Sequence, residues 1–129
     1  MATQDKTYDL SEVKSGYFMC WEVCTQAGYA STVKLVDESG KEYFKYSKPR
    51  SSGNFQMLGQ GSADCRGNKL RLVVSTEVDG GIKQSINSYN ITDSNAKTIG
   101  HGYNLCIEDS TDEDYNDIYV NLVGWAKKG

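Results

Sequence analysis

Residues 108 to 117 read EDSTDEDYND, a decapeptide with six carboxylates, one asparagine and no basic residue. Like charges at that spacing repel, so a folded chain keeps them together only around a cation or in a solvated, disordered stretch. The flanks speak for order: Tyr103, Leu105 and Ile107 alternate before the acids, and Ile118, Val120 and Leu122 alternate after them. That period of two belongs to strands with one buried face, and it pins the acidic segment between two strands. Asp112, Asp114, Asn116 and Asp117 then offer carboxylate and amide oxygens at intervals of one and two residues. Calcium takes six to eight such oxygens, whereas magnesium keeps more of its water. Without His or Cys in the segment, zinc and copper are disfavoured.

An EF-hand also begins D-x-D-x-N, yet here the sixth loop position is Asp117 instead of glycine, and the twelfth is Val123 instead of a bidentate glutamate. A strand follows, not a helix. Nor is there a catalytic pair: the segment holds no nucleophile, no acid has an evident cause for a raised pKa, and calcium activates water weakly. The lone histidine, His101, is expected at the surface near a strand end, so no enzyme is expected.

The elements that must position this segment are short and alternate in twos. GYFMCWEVCT (16 to 25), STVKLVD (31 to 37), KEYFKYS (41 to 47), NFQMLGQ (54 to 60), NKLRLVVSTE (68 to 77) and IKQSINSYNIT (82 to 92) are rich in aromatic and β-branched residues. Turn residues separate them at ESG (38 to 40), SKPRSSG (47 to 53), CRGN (65 to 68) and VDGG (78 to 81). At 129 residues the chain makes one domain, residues 1 to 129, and the pattern predicts an all-β antiparallel sandwich. The stretch DSNAKTIGHGYN (93 to 104) reads as a long connection that could reshape a pocket beside the acids.

Charge and cysteines narrow the function further. The decapeptide carries −6 against a whole-chain formal charge of −3, which leaves +3 elsewhere, scattered and not in a stripe that would suit nucleic acid. No apolar run is long enough to span a membrane, and MATQDKTYDL lacks the layout of a signal peptide. A cytoplasmic product, or one exported to the cell surface or beyond without a cleavable leader, is expected. Cysteines stand at 20, 24, 65 and 106 with no C-x-x-C pair. Cys20 and Cys24 share a face of one strand, too far apart to bond each other, and reduced buried thiols are expected, with a disulfide from Cys65 or Cys106 left open. Most of the nine tyrosines are expected to pack across strands, Tyr115 toward the sandwich, with Trp21 and Trp125 in the core or an interface. The sequon Asn90-Ile91-Thr92 has meaning only in a eukaryotic secretory pathway.

EDSTDEDYND, followed by an apolar strand and a tryptophan near the C-terminus, resembles the calcium-binding loop of the bacterial soluble fucose- and mannose-binding lectins, the Pseudomonas lectin II family. The opening MATQ, the strand NKLRLVVSTEVDG and the terminal glycine resemble it too. The resemblance implies a lectin-like sandwich of about nine strands with two calcium ions side by side, their shells completed by hydroxyls of one sugar. Carried over by position, Glu108, Asp112, Asp114 and Asp117 would hold one ion and Asp114, Asn116 and Asp117 the other. Asp109 and Asp112 would accept hydrogen bonds from the sugar, with Asp114 and Asp117 against it.

Where that family has an asparagine ligand and a small specificity loop, this chain has Glu22, Val23, Cys24 and Thr25. The resemblance thus assigns Glu22 to an ion and Val23 and Cys24 to the sugar pocket. It also makes the terminal carboxylate of Gly129 a ligand in a partner subunit, which implies a homodimer or larger homo-oligomer with residues 118 to 123 and Trp125 in the contact. Glycan termini or monosaccharides are the expected partners. A calcium-stabilised adhesive or protein-interaction module that binds no sugar is the competing reading.

Overall fold

The structure, a computed structural model, describes residues 2–26, 28–51, 53–78, 81–108 and 117–126. Among the described residues there are nine strands: β1 (Ala2–Asp9), β2 (Phe18–Thr25), β3 (Ser31–Val36), β4 (Glu42–Lys48), β5 (Gln56–Asp64), β6 (Arg71–Val78), β7 (Lys83–Thr92), β8 (Thr98–Glu108) and β9 (Ile118–Trp125). They form a four-stranded sheet in the order β1-β6-β3-β4 and a five-stranded sheet in the order β5-β2-β9-β8-β7, every pair antiparallel. The expected all-β sandwich is what the sequence builds.

Alternation decides which side chains meet between the sheets. Met19, Trp21 and Val23 of β2, Leu105 and Ile107 of β8, and Ile118, Val120 and Leu122 of β9 point inward from the larger sheet. They meet Val33, Leu35, Phe44, Leu72 and Val74 of the smaller one. Each such aliphatic side chain, removed from water, stabilises the fold by roughly 1.5–3 kcal/mol before entropy is counted. Along the β4/β5 side the sandwich is closed by rings: Trp21 donates its indole N–H to the Tyr46 hydroxyl at 3.0 Å, and Phe44 stacks on Tyr46 with centroids 4.9 Å apart. The rings lie where β5 has glycine, since a Cβ on Gly59 would come within 2.2 Å of Tyr46 and one on Gly61 within 2.9 Å of Trp21.

Two elements depart from the sequence reading. β1 has no counterpart among the alternating stretches, because residues 3 to 7 are exposed and polar along the sheet edge and, of residues 3 to 9, Tyr8 alone is buried. The long connection expected over 93 to 104 is a turn of five residues, 93 to 97. Asp93 caps it by accepting the amides of Asn95 and Lys97, and the chain is already strand from Thr98. Gly100 and Gly102 hide the alternation there. They leave room on the sheet surface, and the Tyr89 ring fills the space over Gly102.

Candidate functional site

Three strand ends converge on the acidic segment. β8 ends at Glu108 and β9 begins at Ile118, with Ile107 opposite Ile118; on the far side of β9, Thr25, the last residue of β2, is also opposite Ile118. One position further out, Asp117 stands between Glu108 on β8 and Gln26 beyond β2. The Asp117 carbonyl accepts two hydrogen bonds from the β2 end, from the Thr25 hydroxyl and from the Gln26 amide at 2.9 Å. Glu108 is wholly buried, with Lys83 of β7 opposite it in register. The fold therefore brings Glu108, Asp117 and Thr25 to one end of the five-stranded sheet. Asp109, Asp112, Asp114, Tyr115, Asn116 and Gly129 lie outside the described residues.

The stretch expected to add a ligand and part of a pocket is arranged differently from its reading. Glu22 stands three residues before Thr25, roughly 10 Å back along the strand, beside Gln60 of β5 and Asn121 of β9. It belongs to a polar row that crosses the outer face of the sheet. In that row Asn87 donates to Asn104 at 3.4 Å and Asn104 donates to Asn121 at 2.7 Å. Val23 is fully buried and points into the core. Cys24 turns to the outer face and is covered, its thiol 3.9 Å from a Glu22 carboxylate oxygen. Burial, then the Glu22 charge and that hydrogen bond, push the thiol pKa up, which keeps it protonated. All four cysteines are free thiols, and Cys20 is exposed where a buried one was expected.

Thr25 is the residue that sequence reasoning underrated. It closes the stretch in which the resemblance assigns Glu22 to an ion, and the signal that singles it out is parity. Counting inward positions from Val23 gives Thr25 as the next buried residue, at the last rung before the acids.

The opposite end of the sheet holds the connection expected beside the acids. The turn 93 to 97 lies there, and so does Ala126, whose amide donates to Ile99. His101 is buried, not a surface residue, because the inward alternation of β8 runs through it to Tyr103. Its ring is 2.7 Å from the Ser88 hydroxyl and 2.8 Å from the Asn90 amide oxygen, and desolvation lowers its pKa despite the opposing charge of Glu12. A neutral imidazole with both nitrogens engaged is a packing residue.

The donor chemistry fits a hard cation. Among the described residues no group of three or more His, Cys, Asp or Glu side chains is placed to hold an ion. Glu108 and Asp117 instead bracket the eight residues that carry the other four carboxylates, and every side-chain donor in the decapeptide is an oxygen.

Comparison with known proteins decides the kinship of this arrangement: residues 12–126 match the family model described as fucose-binding lectin II (PA-IIL). The chain belongs to the fucose-binding lectin II family. Solved structures share the fold. The C-terminal domain of the BC2L-C lectin from Burkholderia cenocepacia superposes with a TM-score of 0.64 at 19% identity, covering 99% of this chain and 100% of that one. The Chromobacterium violaceum lectin CV2L, solved in complex with alpha-methyl-fucoside, gives 0.60 at 20% identity over 98% and 99% of the two chains. The Ralstonia solanacearum high-affinity mannose-binding lectin gives 0.59 at 17% identity over 95% and 96%. A comparison with curated protein sequences finds no match.

Proposed function

We propose that this member of the fucose-binding lectin II family is a calcium-dependent lectin for fucose- and mannose-type sugars, and that it is not an enzyme. The observation that carries the reading is the family match over residues 12–126 together with the place of the acids, bracketed by Glu108 and Asp117 at the meeting of three strand ends. Glu108, Asp112, Asp114, Asn116 and Asp117 are the oxygen donors that would hold two calcium ions, with Asp114 and Asp117 shared between them. Bound calcium supplies open coordination positions that a vicinal diol can take in place of two waters. Asp109 and Asp112 accept the hydroxyl protons in charge-assisted hydrogen bonds and so orient the ring. Glu22, on the outer face of β2 beside Gln60 and Asn121, is left out of the proposed set.

The assembly we infer is a homodimer through the outer face of the five-stranded sheet. Ile118, Val120 and Leu122 are core residues, so the contact is made by the alternate positions Tyr119, Asn121, Val123 and Trp125, the last 36% exposed. Ala126 sits a full strand, about 26 Å, from the acids of its own chain. Three further residues reach at most about 11 Å. A Gly129 ligand would therefore serve a second copy, which makes two sites per dimer and gives the avidity that one weak site lacks.

Melting the protein in calcium and in excess chelator tests the metal part of this reading. A ligand that binds only the native state stabilises it by mass action, about 2.7 kcal/mol at a hundred times Kd. Calcium should raise the melting temperature by several degrees. Identical melting in calcium and in chelator refutes the calcium site, and calcium binding without any sugar binding leaves the adhesive or interaction module as the function.

A further inference from the structure

Thr25 stands beside the carboxylates without being one of them, and its surroundings define its task. It is fully buried at the end of β2, between the inward-facing Val23 and Ile118 across the rung. An apolar valine of the same shape would fill that space as well, and a buried hydroxyl destabilises unless it is hydrogen-bonded. Its bond goes outward, past the last rung of the β2/β9 ladder, to the carbonyl of Asp117. The Gln26 amide donates to the same oxygen at 2.9 Å.

We propose that Thr25 is a positioning residue for the divalent-cation site: with the Gln26 amide it holds the Asp117 main chain against β2, so that the Asp117 carboxylate is set beside Glu108 before the ion arrives. The proposal rests on the calcium reading above. Its physical content is preorganisation. Both lone pairs of the Asp117 carbonyl are engaged, which fixes the plane of the peptide leading into Ile118 and with it the direction of the Asp117 side chain. Across β8 and β9 neighbouring positions are about 5 Å apart, close enough for two carboxylates to repel. A main chain held only by the ladder could swing Asp117 away; one clamped by two donors on its β2 side keeps the ligand in place. Groups that orient ligands in this way influence metal affinity by about 10- to 100-fold.

The test compares calcium affinity, measured by calorimetry on the full chain without sugar, in Thr25→Val and Thr25→Ser, with melting temperature in excess chelator recorded alongside. Thr25→Val should bind calcium about 10- to 100-fold more weakly, while Thr25→Ser, which restores the hydroxyl, should remain near the wild type. A purely structural role would lower the melting temperature in chelator and leave the affinity of the folded protein unchanged. Should Thr25→Val fail to fold, Thr25→Ser against Thr25→Ala isolates the same hydroxyl. Wild-type affinity in the variant lacking the hydroxyl overturns the positioning role alone. A wild type that binds no calcium overturns the calcium reading, and the positioning role with it.

Discussion

Replacing Asp37 by asparagine should destabilise the protein strongly while leaving its sugar binding intact. Asp37 directly follows β3, at the end of that strand far from Thr25, and is buried. One carboxylate oxygen accepts the Ser39 hydroxyl at 2.6 Å, the Ser39 amide at 2.8 Å and the Lys41 amide at 3.2 Å, and the other accepts the Tyr43 hydroxyl at 2.7 Å. Gly67 packs so close that a Cβ there would meet the second oxygen at 2.3 Å. The Ser39 hydroxyl bond, opposed by burial and joined by the Tyr43 and amide bonds, lowers the Asp37 pKa from 3.8 to about 2. At 1.36 kcal/mol per unit, that difference favours the ionised form by about 2 kcal/mol. An asparagine retains one accepting oxygen but sets its NH2 against the Tyr43 hydroxyl, which already accepts the Arg66 amide at 3.0 Å.

The expected loss at pH 7 is therefore about 2–3 kcal/mol, or roughly 10 °C in Tm for a domain of this size. Because the folded pKa is depressed, the Asp37 contribution is complete above its unfolded value near 4 and is lost as pH falls through about 2. Thermal melts of the wild type and Asp37→Asn at pH 7, 4 and 2.5 should show the gap between them shrinking in that window. A variant that melts within a degree of wild type at pH 7, or a gap that does not change on acidification, would refute the reasoning.

Two more predictions concern packing and pH. Gly59→Ala should cost about 1–3 kcal/mol, read from denaturant melts, because the new Cβ has to displace the Tyr46 ring and strain its bond from Trp21; an unchanged midpoint would contradict the closure of the sandwich by these rings. His101 has a folded pKa below its unfolded value near 6.5, so its contribution is complete above pH 6.5 and is lost as pH falls below that value. His101→Gln should flatten the fall in stability between pH 7 and pH 5, and an equal slope in both proteins would argue against a buried neutral ring.

The acidic segment and the six strands with clean alternation are legible in the sequence because they rest on local rules, charge repulsion and a period of two. What was not legible depends on neighbours. β1 shows no alternation because it lies at an edge where residues 3 to 7 stay exposed. The first half of β8 reads as a loop because its outer face is built from glycines that accommodate rings supplied by other strands. Glu22 is assigned by its place in the resemblance, whereas the place of Thr25 depends on the register of β2 against β9, which no single strand discloses. His101 looks exposed until the inward parity of Tyr103, Leu105 and Ile107 is carried back to it.

Calorimetric titration of the calcium-loaded chain with methyl α-fucoside, methyl α-mannoside and methyl α-galactoside, repeated after chelation and with Asp114→Ala, tests the central claim most directly. Saturable binding of the fucoside or mannoside, weak or no binding of the galactoside, and loss of all heat in chelator and in the variant are the predicted result. Sugar binding that survives chelation, or equal weak binding of all three sugars, would contradict the account.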